Sequence, residues 1–234
     1  MNFNKLDDQR MSNVTWHFKS STFLLALKNK RQVSMARIAQ AISEIVNPKP
    51  TALVPVTTGC EEIEVAALCD ILARGGVRVT VASVDGHLNH IVKLAKGTDV
   101  QADKPIEFCV NDEYDIIAVP GGPGAKTLGA SQTLASLLKE QKSAGKLYAA
   151  VGEAVYDVLF HNALVEGPMA GDPADKLVLS DLYSDDKVVI AENCVTSKGP
   201  ATAIAMAVTL VELLRGEKAA RTVANEIAFK PIKK

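Results

Sequence analysis

The most informative chemical feature of the chain is a missing side chain. Between Lys146 and Phe160 the sequence reads KLYAAVGEAVYDVLF, so that a short apolar run, Leu147 to Val151, passes into a helical pattern at Glu153 with one residue at the corner. Such a strand-to-helix corner is a nucleophile elbow, a sharp turn that lifts a Ser or Cys above the C-terminal edge of a sheet. The corner residue here is Gly152, and Leu147 to Asp157 contains no Ser or Cys. Glycine forms no thiohemiacetal, acyl intermediate or sulfinic acid. Any chemistry at this corner passes to carboxylates such as Glu153, which can act as a general base when burial raises its pKa.

The remaining candidates each have a plainer explanation beside the chemical one. Glu64 follows Glu61 and Glu62 in the first turns of a predicted helix, where negative charge suits the helix dipole without any catalytic role. Cys60 sits beside the same helix start, which lowers a thiol pKa, while the three neighbouring carboxylates raise it; Cys60 is a candidate redox-reactive thiol. Cys69 and Cys194 fall on a helix and a strand as packing residues, and Cys109 lies near an edge strand with no activating partner. Gly121 and Gly122, in the run Gly-Gly-Pro-Gly, form either a tight turn or a pair of backbone amides able to hold an oxyanion. Asp172, with Asp175 and Lys176, reads as a solvated loop, although Asp172 could line the site and repel anions. His161 suits a helix C-terminus electrostatically. His87 and His90 lack the acidic or Cys partners of a metal site, and nothing in the sequence calls for a metal or a cofactor.

These residues sit in an alternating pattern. Strands are predicted at 51–56, 77–84, 115–119 and 147–151, with helices at 61–74 and about 134–142 between them; the first helix buries Ile63, Ala66, Ala67, Leu68, Ile71 and Leu72. A late hairpin at 187–190 and 194–197 precedes a long helix at 201–214. Strand and helix units in this order predict an α/β fold, an open and mostly parallel sheet with helices on both faces. The site of such a sheet lies outside the C-terminal ends of its strands, here Gly59-Cys60, Pro120-Gly121-Gly122 and Gly152.

Composition separates an N-terminal extension, residues 1–48, from a domain at 49–234. From Arg10 to Ser43 there is no Asp or Glu, while basic residues, Ser and Thr are frequent. That is the composition of an organellar transit peptide, which implies a mitochondrion or plastid; Asp7 and Asp8, and possible starts at Met11 or Met35, favour the cytoplasm instead. Met35 to Val46 follows helical spacing, and the prolines of Asn47-Pro48-Lys49-Pro50 stiffen the link. The longest apolar run of the extension, Phe23 to Leu27, is far too short to span a bilayer. A net charge of -1 over 234 residues gives no basic excess for nucleic acid or an anionic membrane. Four cysteines without paired spacing read as free thiols.

Four segments in register, GCEEIEV (Gly59 to Val65), VPGGPGA (Val119 to Ala125), YAAVGEA (Tyr148 to Ala154) and TSKGPATA (Thr196 to Ala203), resemble the ThiJ/PfpI superfamily in its DJ-one branch. The resemblance covers Thr51 to Lys234. It implies a flavodoxin-like domain, usually a homodimer, linked to oxidative-stress protection and to glyoxalase or deglycase activity. It also implies that Glu64 matches a Glu that contacts the family's elbow Cys, and that Gly121 and Gly122 match a Gly-Gly turn facing the site. Gly152 stands where the family has that Cys, and Asp172 where many members have a His. Two functions follow. One is a non-catalytic homologue acting by protein contact or by binding a small carbonyl or anionic ligand in the space at Gly152; the other is an enzyme that keeps glyoxalase or deglycase activity by activating water with Glu64, Glu153 or Asp172.

Overall fold

The computed structural model describes residues 35, 37, 38, 48–85 and 90–230. The chain divides into two units, 1–48 and 49–234. In the first, Met35, Arg37 and Ile38 are helical; the rest of the helix expected at 35–46, the proposed import segment and His87 lie outside the described residues.

In the second unit, β1 (Thr51–Val56) is buried along nearly its whole length, as the apolar run TALVPV requires of a strand covered on both faces. It pairs in parallel with β2 (Arg78–Ser83) on one side and with β6 (Ile116–Val119) on the other. Further out, β7 (Leu147–Val151) joins β6, and β9 (Cys194–Ser197) joins β7, both in parallel. The short β5 (Lys104–Pro105) lies at one edge and β8 (Val188–Ala191), antiparallel to β9, at the other. The seven-stranded order is β5-β2-β1-β6-β7-β9-β8. The chain therefore reverses its direction across the sheet at β1 and β6, and a crevice opens outside their carboxyl ends. That reversal places Thr57 to Cys60 beside Pro120 to Gly122.

Helices α1 (Glu62–Arg74), α2 (Ala125–Ala130), α3 (Gln132–Ser143), α4 (Lys176–Leu179), α5 (Pro200–Arg215) and α6 (Glu217–Glu226) complete the unit. The α1 helix packs on α5, and α3 lies against β6 and β7. Buried Gln141 on α3 donates to the carbonyls of Tyr114 and Leu147, fastening the starts of those two strands. With both bonds made, this buried amide carries no desolvation penalty of an unpaired group.

The predicted strands and main helices are all present, with boundaries moved by one or two residues. Three differences bear on function. The apolar face of α1 is rotated from the expected one: Ile63 is 53% exposed and Ala66 is exposed, while Val65 and Glu64 are buried. The cause is that Glu64 turns inward, and a residue one position away on a helix points about 100° aside. The elbow continues as a single π turn, Val155–Phe160, rather than as regular helix. A small hairpin, β3 (Ile91–Lys93) with β4 (Asp99–Gln101), stands outside the main sheet. Its three-residue strands were too short to register as periodicity.

Candidate functional site

Gly152 occupies the corner between β7 and the π turn with φ +55, a left-handed conformation that costs a side chain about 1 kcal/mol and costs glycine nothing. Its amide donates to the Ser197 carbonyl at 2.9 Å, and its carbonyl accepts from Val155 at 3.1 Å and Asp172 at 3.4 Å. A Cβ built on Gly152 would stand 3.1 Å from Glu64 Oε1, 3.5 Å from Gly199 Cα and 3.8 Å from the Lys198 carbonyl. The elbow thus aims at Glu64 although it carries nothing to aim.

Glu64 is 0% exposed. Its backbone amide is capped by the Glu61 carboxylate at 3.0 Å, which fixes the first turn of α1 and points the Glu64 side chain into the crevice. Glu64 Oε2 accepts from the Gly121 amide at 2.6 Å, whereas Oε1 is buried without a hydrogen-bond partner. Burial pushes the Glu64 carboxyl up to about 8; the Gly121 amide opposes this, and the charges of Glu153, Glu61 and Asp172 reinforce it. A carboxyl that exchanges its proton near neutral pH is suited to general acid or base work, but nothing beside it is a nucleophile.

Both amides of the Gly121-Gly122 turn are already taken. Glu153 Oε2 accepts from Gly122 at 3.0 Å, so the second amide meets a carboxylate of the protein just as the first does. The two carboxylates crowd one glycine: a Cβ on Gly121 would lie 2.9 Å from Glu153 Oε2 and 3.0 Å from Glu64 Oε2. The turn therefore presents no open oxyanion cradle in this arrangement. Asp172 caps the short turn at Pro173–Asp175 by accepting from Ala174 at 2.7 Å, and it lies close enough to Glu64 to be felt electrostatically.

Acidity continues outward. Asp157 is raised by burial and by Glu153, with Lys126 and His161 pulling the other way. Asp175 is raised by burial and by Asp172, Asp157 and Glu153. The structure brings the strand-end residues Gly121, Gly122 and Gly152 to one place, and sets Glu64, Glu153 and Asp172 beside them. It keeps Cys60 closed: the thiol is 0% exposed, accepts from the Thr57 amide at 3.4 Å, and is pushed up to about 12 by burial, with Asp85 and Glu64 adding to it. The helix-start effect that would activate Cys60 is overridden by its surroundings. His161 is exposed at the end of the π turn, a place that suits its charge and asks for no chemistry. Among the described residues, no group of three or more His, Cys, Asp or Glu side chains is placed to hold a metal ion. No described helix is long and apolar enough to cross a membrane.

Two contributors were not singled out in the sequence. Ser197 holds the Gly152 amide through its carbonyl and has a buried hydroxyl without a partner, and Lys198 supplies a backbone carbonyl that faces Gly152. Both lie in the TSKGPATA segment, whose pattern was visible, but a backbone carbonyl has no residue-type signature to read.

Comparison with known proteins places these features in a lineage. A family model described as the DJ-1/PfpI family matches residues 50–213. Protein dj-1beta of Drosophila melanogaster is 33% identical over 179 residues, covering 75% of this chain and 95% of that protein. A Caenorhabditis elegans protein named glutathione-independent glyoxalase DJR-1.2 is 37% identical over 158 residues, covering 67% of this chain and 83% of its own length. Among solved structures, oxidized Toxoplasma gondii DJ-1 superposes with a TM-score of 0.74 at 36% identity, over 77% of this chain and 98% of that one.

Proposed function

The chain belongs to the DJ-1/PfpI family, and on that premise we propose that it is a non-catalytic member that acts by binding a small ligand or a protein partner. The observation that carries this reading is Gly152: a corner built to present a nucleophile, aimed at a buried Glu64, offers no atom that can attack. The carboxylates on both glycine amides support it further, because a developing oxyanion would have to displace them. Homodimerisation belongs to the reading through the family resemblance, and light scattering that returned a monomer would contradict it. So does import into a mitochondrion or plastid, through the composition of residues 1–48.

A second reading has one specific observation in its favour. Glu64 is pushed up to about 8, close to where a general base is most effective, and a relative carries the name glyoxalase. Glu64 or Glu153 would then activate water in place of the absent thiol. Consumption of methylglyoxal by the purified protein, measured beside the double variant Gly152→Cys/Asp172→His, separates the two. Activity only in the double variant fits a disarmed site. Activity in the parent that disappears in Glu64→Gln establishes the second reading and removes the first.

A further inference from the structure

The Gly121-Gly122 turn is filled by its own chain, and its two contacts differ in what holds them. Glu64, on the Gly121 amide, is fully buried on α1. Glu153, on the Gly122 amide at 3.0 Å, is half-buried. Only its own flexible side chain joins that carboxylate to the elbow, so it can turn outward into solvent while the backbone stays in place. Among the described residues it has no ion pair and no second hydrogen bond, and its electrostatic neighbours are carboxyls: Glu64, Asp157 and Asp175 are each raised by its charge. The Gly122 amide therefore holds an anion in surroundings that repel one. The amide of Glu153 itself, at the start of the elbow's turn, has no carbonyl partner and lies at most one side chain's length from that position.

We propose that Glu153 is an autoinhibitory group: its carboxylate occupies, from within the chain, a position at the Gly122 amide that a small free carboxylate takes when Glu153 turns outward. The inference rests on the binding reading above and names both the ligand class and the group that controls access. The position suits a carboxylate because one is seated there, and the room for the ligand is the volume that the Glu153 head group vacates. The exchange is neutral in charge, since one carboxylate leaves as another enters. Glu64, pushed up to about 8, keeps its proton near neutral pH, so the charges of Asp172 and Glu61 meet the same site before and after. What favours Glu153 is its tether, because a group attached beside its site has a high effective concentration. A simple carboxylate does not displace it, and a ligand that does must bring contacts beyond its carboxylate.

The test removes the tethered carboxylate and supplies one from solution. Thermal unfolding of the full chain is followed at about pH 6.5, where acetate is ionised, in sodium acetate against equal concentrations of sodium chloride. In the parent the two salts should give the same Tm. In Glu153→Ala, acetate at roughly ten times its dissociation constant is expected to raise Tm by about 4 °C over chloride, and acetamide, which lacks the charge, should not. Asp172→Asn removes a neighbouring negative charge but leaves Glu153 on Gly122, and should behave as the parent. The amide resonance of Gly122 locates the ligand: acetate should move it in Glu153→Ala and leave it in place in the parent. The same spectrum reports that the variant folds, and where Glu153→Ala does not, Glu153→Ser carries the same expectation. An equal response in the parent, a response shared by Asp172→Asn, or no response in a folded Glu153 variant would each overturn the autoinhibitory contact. Methylglyoxal turnover by the parent would remove the non-catalytic reading while the acetate response of the variant still stood. No turnover and no acetate response would remove the autoinhibitory contact alone.

Discussion

Glu64 makes the stability of this protein depend on pH in a direction opposite to that of most carboxylates. Its folded-state pKa is raised, from the usual 4.5 to about 8, so the native state keeps a proton that the unfolded chain releases. The stability it contributes is fully present below about pH 4.5 and is lost as pH rises through about 8, a swing of a few kcal/mol for a group this buried. Asp157 and Asp175 are raised too and add to the same trend. Glu64→Gln keeps the shape and the hydrogen bond from Gly121 but cannot ionise. Its Tm relative to the parent is expected to climb steadily from pH 5 to pH 8.5; a constant difference across that range would mean that Glu64 does not titrate there. The cysteines give a second test at the same scale. Cys60, Cys109 and Cys194 are buried, whereas Cys69 is partly exposed. Maleimide in the folded protein should therefore modify Cys69 first, and faster labelling of Cys60 would revive it as a reactive thiol.

The element after the elbow depends on a close approach that the sequence hides. A Cβ on Gly129, in α2, would run into the Asp157 carbonyl, so α2 and the π turn touch backbone to backbone. Asn162 bridges the same pair, donating to the Gly129 carbonyl at 3.2 Å and to the Val158 carbonyl at 2.9 Å. Gly129→Ala must push the two apart, and a loss of about 1–3 kcal/mol is expected, read as a lower denaturation midpoint; an unchanged midpoint would show that the turn relaxes freely. This contact illustrates where sequence reading stops. The strands β1, β6 and β7 were legible because they are apolar runs between glycines and charged turns, and their order put the site at their ends. The phase of α1 was not, because its apolar pattern around Ile63 concealed a helix turned by one inward carboxylate. Nor could the pattern after Glu153 distinguish an α turn from a π turn, since one extra residue per turn shifts the periodicity too little over six positions. The pairing of Glu64 with Gly121 and of Glu153 with Gly122 spans 57 and 31 residues, and no local signal reports a contact at such separations.

At the scale of the whole molecule, the two units make separate predictions. Every described core residue lies between Ala52 and Ala224, so residues 49–234 contain a complete sheet with its own packing, which is the condition for a domain to fold alone. Expressed without residues 1–48, this unit is expected to unfold cooperatively with the Tm of the full chain, and a broad, non-cooperative transition would refute that. The extension has a composition with another use. It has no Asp or Glu from Arg10 to Ser43 and carries Lys19, Lys28, Lys30, Arg31 and Arg37 over that stretch, the charge pattern that organellar import reads. Fused ahead of a fluorescent reporter, residues 1–48 should direct it to a mitochondrion or plastid, and replacing Lys28, Lys30 and Arg31 with Glu should return it to the cytoplasm. The reversal is the informative arm, because it depends on charge and not on length. If the unaltered fusion stays in the cytoplasm, the basic extension has some role other than import, and the site at Gly152 meets the metabolites of the cytoplasm.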